Sequence, residues 1–417
     1  MTDNQYVIYV YSDWGNGPLT LIGKLYIDGG RGRELISFEY NREWLHSTTN
    51  LNIDPDLHLY EGRQYMPPGK MLFGVFSDSC PDRWGRLLMN RREAILARKE
   101  GRKARALRES DYLLGVFDET RMGALRFALR EGGPFQSENE FLPVPPWTSI
   151  RTLEYASLAF ENNEGRDDEK WLNQLFAPGS SLGGARPKAS VRAPDNSLWI
   201  AKFPSKNDAW DVGAWEVVAH DLAGKCGLNV PEAKLEYYSS KGGTYLVKRF
   251  DRNGARRIHY TSAMTLLGMT DGAGSDGASY LDIVSFIKAN GASPKRDLKE
   301  LWMRVVFNMA ISNTDDHLRN HGFLLAESGW TLSPMFDVNP NIYGDALSLN
   351  VSEYDNAIDF DLAIETARYY DIDTHNAKII AENIKDIVSA NWRRLASSYG
   401  LGSGAINYMA PAFAMAN

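Results

Sequence analysis

Asn313-Thr314-Asp315-Asp316-His317-Leu318-Arg319-Asn320, followed by Ser333-Pro334-Met335-Phe336-Asp337, is the stretch that decides how this chain is read. An apolar run from Leu301 to Ile311 delivers the chain into this loop of acids, amides and one His. Gly322-Phe323-Leu324-Leu325 and Trp330-Thr331-Leu332 then read as two short strands around a turn at Ser328-Gly329. Closing that hairpin sets its open ends side by side. Asn320 enters the first strand and Asp337 lies just beyond the second, so an amide and a carboxylate meet near Asp315. Magnesium takes hard oxygen ligands, usually only one or two from protein, and keeps positions for substrate phosphates. A further carboxylate nearby accepts a proton. This is the minimal kit for phosphoryl transfer.

Upstream segments bear on the same chemistry. Pro178-Gly179-Ser180-Ser181-Leu182-Gly183-Gly184-Ala185-Arg186-Pro187-Lys188 is a Gly/Ser loop ending in a cation. Its backbone N–H groups suit an anion nest, but it lacks the ending of a Walker A loop, and plain turns share its composition. Leu198-Trp199-Ile200-Ala201-Lys202-Phe203-Pro204 sets a Lys in an apolar strand. Buried there, it needs an anion; on an edge, it faces water. Fourteen residues on, Glu216 sits in a helical segment with Trp215, Val218, Leu222 and Ala223 as a candidate apolar face. A strand Lys and a helix Glu in this order match the pair that positions ATP phosphates in protein kinases, although a solvated Glu fits the spacing too. Thr244 to Arg252 reads as a strand with a charged end, or as the hinge of a kinase arrangement in which Phe250 covers the adenine.

Composition narrows the class. The 417 residues are too many for one core, so about two or three packed units are expected. Contents of 43% hydrophobic and 24% charged residues describe an ordinary globular protein, and a net charge of −7 argues against one coated in nucleic acid. Two cysteines, Cys80 and Cys226, make no disulfide framework, so a reducing compartment is expected. The N-terminus has no signal-peptide pattern, no run of about 18 apolar residues occurs, and a cytoplasmic location is the default. Residues 86–108 hold nine Lys or Arg against two Glu, which reads as a solvated helix face or as a contact for DNA phosphates or an acidic partner. Gly272 to Gly277 fits GxGxxG, but Ser262 to Met269 before it reads helical, so it is a loop and not a dinucleotide turn. His317 and His321 are spaced i,i+4 where a helix should be over. His317 reads as an organiser of the loop and not as a zinc ligand.

Taken in order, these segments resemble the HipA family of bacterial kinases, the toxins of toxin–antitoxin pairs. The likeness runs through Ser181 to Lys188, Trp199 to Pro204, Glu216 to Leu228, Val247 to Arg252, the loop with Asp315, His317 and Asn320, and Asp337. The N-terminal strands and Pro81-Asp82-Arg83-Trp84-Gly85 fit the family's extra subdomain, so nearly the whole chain is covered. The resemblance implies an α+β, protein-kinase-like two-lobed fold. It divides into a β-rich subdomain over 1–131, a nucleotide-binding lobe over 147–259 and a helical C-lobe over 260–417. It implies an ATP-dependent serine/threonine protein kinase. Asp315 would orient the substrate hydroxyl as base, and Asn320 and Asp337 would hold Mg2+. Lys202 would contact ATP phosphates under Gly183, Gly184, Ala185, Arg186, Pro187 and Lys188. Lys248, Arg249 and Phe250 would line the adenine pocket, and His317 would belong to the nucleotide site. Ser181, with Ser180 beside it, would be autophosphorylated, and the added charge would repel ATP phosphates. The implied partners are a HipB-like helix-turn-helix antitoxin, DNA through the antitoxin complex, and a protein substrate, for which the family precedent is an aminoacyl-tRNA synthetase. A non-enzymatic corepressor and a small-molecule kinase are the alternatives. Two departures stand out. Lys248 is basic where a family hinge can carry an acid, and Asp316 adds a carboxylate that leaves the magnesium stoichiometry open.

Overall fold

Strand-forming runs of β-branched and aromatic residues open the chain, and the computed structural model shows how they pair. It describes residues 5–14, 17–29, 34–47, 50–136, 144–162, 175, 186–270 and 277–416. The chain groups into two units, Met1–Ala201 with Asp251–Thr261, and Lys202–Phe250 with Ser262–Asn417. No helix among the described residues is long and apolar enough to cross a membrane.

In the first unit, β1 (Tyr6–Ser12), β2 (Thr20–Gly29), β3 (Glu34–Tyr40), β4 (Gln64–Tyr65) and β5 (Leu125–Ala128) form an antiparallel sheet in the order β4-β3-β2-β1-β5. Alternation along β1 turns Ile8 and Val10 inward, both fully buried, and a register shift follows between Val10 and Tyr11. Ile22, Leu25, Phe38, Phe73, Phe76 and Phe127 complete this core, with Phe76 lying edge-on to Phe127. Arg121 is buried in the same unit. Its guanidinium donates to the carbonyls of Ser79, Leu113 and Val116 at 2.9–3.0 Å, which satisfies a charge that burial would otherwise make costly.

Pro81-Asp82-Arg83-Trp84-Gly85 starts the helix Arg83–Lys99. Asp82 caps it, Oδ1 accepting from the Gly85 amide at 2.9 Å, while Oδ2 lies 2.7 Å from the Lys188 ammonium. The Trp84 indole donates to the Lys188 carbonyl at 3.1 Å. Lys188 opens the strand Lys188–Arg192 and is buried. The basic stretch beyond the cap is partly neutralised. Arg86 pairs with Glu109, Arg102 with Glu93 and Arg105 with Asp111. These pairs favour the solvated-face reading of residues 86–108.

His259 is also buried in this unit, its ring stacked on Trp14 with centroids 4.6 Å apart. Burial pushes its pKa down to about 3 from 6.5. A depressed pKa of this kind gives stability that is full above pH 6.5 and is lost as pH falls toward 3. The loss is at most about 1.4 kcal/mol per pH unit. His259→Phe keeps the stack and removes the titration, so its urea denaturation should show a flatter acid slope than wild type between pH 6.5 and 4. Equal slopes would refute the burial account.

In the second unit the helix Val212–Lys225 lies on the antiparallel pair Ala233–Ser239 and Gly242–Lys248. Asp211 caps the helix through the Ala214 amide and accepts from the Gly243 amide as well, at 3.0 Å each. Gly213 permits this approach, because a Cβ there would lie 2.1 Å from the Gly243 carbonyl oxygen. Helices Tyr280–Asn290, Pro294–Ala310 and Thr374–Ser398 build the rest, with Trp392 stacked on Phe413 at 4.3 Å. The first begins at a Ser279/Asp282 capping box and the second at Pro294. The expected hairpin is present as Gly322–Ala326 paired with Gly329–Leu332. The helix read over 262–269 is only Ala263–Leu266, ended by Gly268 at φ +68°. Of the GxGxxG loop, only Gly277 is described.

Candidate functional site

The second unit holds a buried ion-pair cluster. Lys202, the last residue of the strand Leu198–Lys202, is 6% exposed. Its ammonium is 2.5 Å from Glu216 Oε1 and 2.7 Å from Asp337 Oδ1. Burial alone would pull the ammonium pKa down, but the carboxylates of Asp337 and Glu216 hold it above the ordinary lysine value. Glu216, on the helix Val212–Lys225, is 2% exposed, so the solvated readings of both residues are excluded. Asp337 adopts φ +57°, a left-handed conformation uncommon outside glycine though tolerated by Asp and Asn. Local strain at a residue with a charged partner is a common mark of a functional position.

The acidic loop is set by the end of the helix Pro294–Ala310. Ser312, at φ +49°, turns the chain, and the Asn313 amide donates to the Asn308 carbonyl at 2.8 Å. Thr314 is then held on two sides, by Asn341 Nδ2 at its hydroxyl and by the Ser348 hydroxyl at its carbonyl. Gly344 packs so closely here that a Cβ would come within 2.2 Å of Thr314 Oγ1. Asp315 is exposed. Partial burial, with the charges of Asp337 and Asp316, raises its pKa above the ordinary aspartate value, against the opposing influence of His317. Asp316 is turned inward and is 3% exposed. Tyr280 Oη donates to its Oδ2 at 2.6 Å and Asn308 Nδ2 at 2.8 Å, and His321 Nε2 lies 2.8 Å from the same atom. Burial pushes the Asp316 pKa up, but His321 and Tyr280 together hold it below the ordinary value. All three contacts fall on one oxygen of this inward carboxylate.

Asn320 differs from its expected place. It ends the short 3-10 turn Leu318–Asn320, where its amide donates to the His317 carbonyl, and the strand begins only at Gly322. Its Nδ2 donates to the Asp315 carbonyl at 3.1 Å, and its Oδ1 is buried with no hydrogen-bond partner among the described residues. A buried oxygen acceptor without a donor suits a hard cation. Past the hairpin, Arg304 donates to the Ser333 carbonyl at 2.7 Å, and Asp297 accepts from the Leu332 amide at 3.0 Å. Both come from the helix that leads into the acidic loop. One helix therefore positions both the loop and the segment approaching Asp337.

The other expected site residues fall as follows. Lys248 points its ammonium to Glu232 at 3.3 Å, Arg249 is buried, and Phe250 packs on Phe336 with ring centroids 5.6 Å apart. His317 is half-buried. Arg186, Pro187 and Lys188 belong to the first unit, whereas Ser180, Ser181, Gly183, Gly184 and Ala185 lie outside the described residues. Sequence reasoning missed Asn308, Tyr280, Asn341 and Ser348. Asn308 carried a usable signal, a lone amide in the apolar run from Leu301 to Ile311.

A family model described as HipA-like C-terminal domain matches residues 180–392. "Putative kinase Y4mE" of Sinorhizobium fredii is 28% identical over 148 residues, 33% of this chain and 33% of that protein. "Putative kinase Y4dM" of the same organism is 24% identical over 256 residues, 58% of each. The chain thus matches less than two thirds of the length of these relatives. Among solved structures, a chain of the Shewanella oneidensis MR-1 toxin–antitoxin complex of HipA, HipB and operator DNA is similar. Its TM-score is 0.65 at 16% identity, covering 98% of this chain and 96% of the other. That likeness shows the fold, of the expected α+β class.

Proposed function

The chain belongs to the family of the HipA-like C-terminal domain, and on that premise we propose that it is an ATP-dependent serine/threonine protein kinase. The observation that carries this reading is the buried Lys202–Glu216 pair, with Asp337 on the same ammonium and the Asp315 loop in the same unit. Buried charge clusters of this kind are expensive unless they are used, and this one has the composition of a phosphoryl-transfer site.

In this reading Asp315 accepts the proton of a substrate hydroxyl, for which an outward carboxylate with a raised pKa is suited. Lys202, positioned by Glu216, binds ATP phosphates. Asn320 Oδ1 and Asp337 hold a magnesium ion, which when bound would neutralise phosphate charge. Lys248, Arg249 and Phe250 offer the adenine site mainly through backbone groups and the Phe250 ring. The three-part division into 1–131, 147–259 and 260–417 is the corresponding proposal for the lobes. A HipB-like antitoxin, with operator DNA bound through it, is the proposed partner. The support is the similar fold of a chain found in such a complex.

Purified protein given labelled Mg-ATP should label itself, at Ser181 or Ser180 by peptide mapping. Asp337→Asn tests the metal assignment separately, since Asn tolerates the same left-handed backbone. That variant is expected to stay folded and to lose metal-dependent labelling. No label on wild type would end the kinase reading, whereas full label on Asp337→Asn would end the metal assignment alone.

A further inference from the structure

Asp315 and Asp316 are neighbours with opposite surroundings, one exposed and one buried. Three groups converge on a single oxygen of Asp316. Tyr280 comes from the helix Tyr280–Asn290, Asn308 from the helix Pro294–Ala310, and His321 from the mouth of the hairpin. The Asn308 amide is used at both ends, because its Oδ1 accepts from Asn313 Nδ2 at 3.0 Å while its Nδ2 serves Asp316. His321 is fixed in turn through its carbonyl, which accepts from the Ala263 amide at 2.7 Å. The carbonyl of Asp315, which belongs to the peptide joining the two acids, accepts from Asn320 Nδ2. That peptide is therefore held by Asn320 on one side and by the pinned side chain of Asp316 on the other.

We propose that Asp316 is a positioning residue for phosphoryl transfer: its anchored carboxylate fixes the 315–316 peptide so that the Asp315 carboxylate faces the substrate hydroxyl. The proposal rests on the kinase reading. Asp316 touches neither nucleotide nor acceptor. It acts through Asp315 and, by the shared peptide, through the amide of Asn320, whose Nδ2 contact leaves Oδ1 available. Reacting groups tolerate little displacement, so loosening the anchor should slow transfer without removing the groups that bind ATP.

The test uses the full chain and two variants. Asp316→Asn keeps the shape but places an amide nitrogen or a weaker acceptor before the three donors. Tyr280→Phe keeps the ring and removes one donor, and so serves where the first variant folds poorly. Self-labelling is followed against ATP concentration, at a temperature where melting curves show each protein folded. The expected result is a fall of ~10–10²-fold in the rate at saturating ATP for Asp316→Asn and a smaller fall for Tyr280→Phe. The ATP concentration for half-maximal rate should change by less than about threefold. A residue that only supports the fold would lower the melting temperature and leave the rate per folded molecule unchanged, and that result overturns the proposal. A rise in the half-maximal ATP concentration that accounts for the whole loss also overturns it, since it would place Asp316 in nucleotide binding. Wild type without label defeats the kinase reading and this role with it. Labelled wild type with equally labelled variants defeats only this role.

Discussion

Asp315→Asn is expected to slow phosphoryl transfer by ~10²–10⁴-fold, the usual range for a positioned acid–base group. The side chain is exposed, so the exchange should leave the melting temperature nearly unchanged. Desolvation of its carboxyl by the surrounding protein, and to a smaller degree the charges of Asp337 and Asp316, raise the proton affinity of Asp315, and an amide cannot take that proton. Comparing phosphoproteomes after induced expression of wild type and Asp315→Asn would also identify the acceptor protein. If the variant transferred phosphate at the wild-type rate, Asp315 would not be the base.

Lys202→Met is expected to be the most damaging single change to stability near the site. Glu216 would stay buried with its counter-charge gone, and removing one partner of a buried pair costs about 3–5 kcal/mol. Transfer should be lost as well, since the phosphate contact proposed for Lys202 goes with the ammonium. The double variant Lys202→Met/Glu216→Leu separates the two effects. Apolar replacement of both partners is often neutral, so denaturation should recover most of the lost stability while transfer stays absent. A single variant that unfolds at the wild-type denaturant concentration would show that the pair is not buried as described.

Much of this site could be read from residue order, because the relevant signals are local. Ser328-Gly329 announces the hairpin, and the strand Lys followed fourteen residues later by a helix Glu is a pattern in one dimension. Asp315 and Asp316 show where local reading stops. The two are chemically identical in the sequence, and only tertiary packing makes one a surface group and the other the acceptor of three hydrogen bonds. Tyr280 lies 36 positions from Asp316, so nothing short of the folded chain joins them. Asn320 illustrates a smaller limit. A single backbone bond to His317 delays the strand by two residues, which is the usual uncertainty at an element's end.

The contact of Asp82 and Trp84 with Lys188 bears on where this protein can be cut. The matched family segment begins at residue 180, which suggests a self-sufficient piece from there onward. Yet the first strand of that piece opens on Lys188, whose ammonium has its counter-ion Asp82, and whose carbonyl accepts from the Trp84 indole, about a hundred positions earlier. A fragment cut at the family boundary would leave Lys188 buried without its carboxylate, or would have to expose the strand to hydrate it. The heritable boundary and the electrostatic one thus fall at different residues. Asp82 and Trp84 thus tie the strand that opens at Lys188, inside the matched family segment, to residues that lie before that segment.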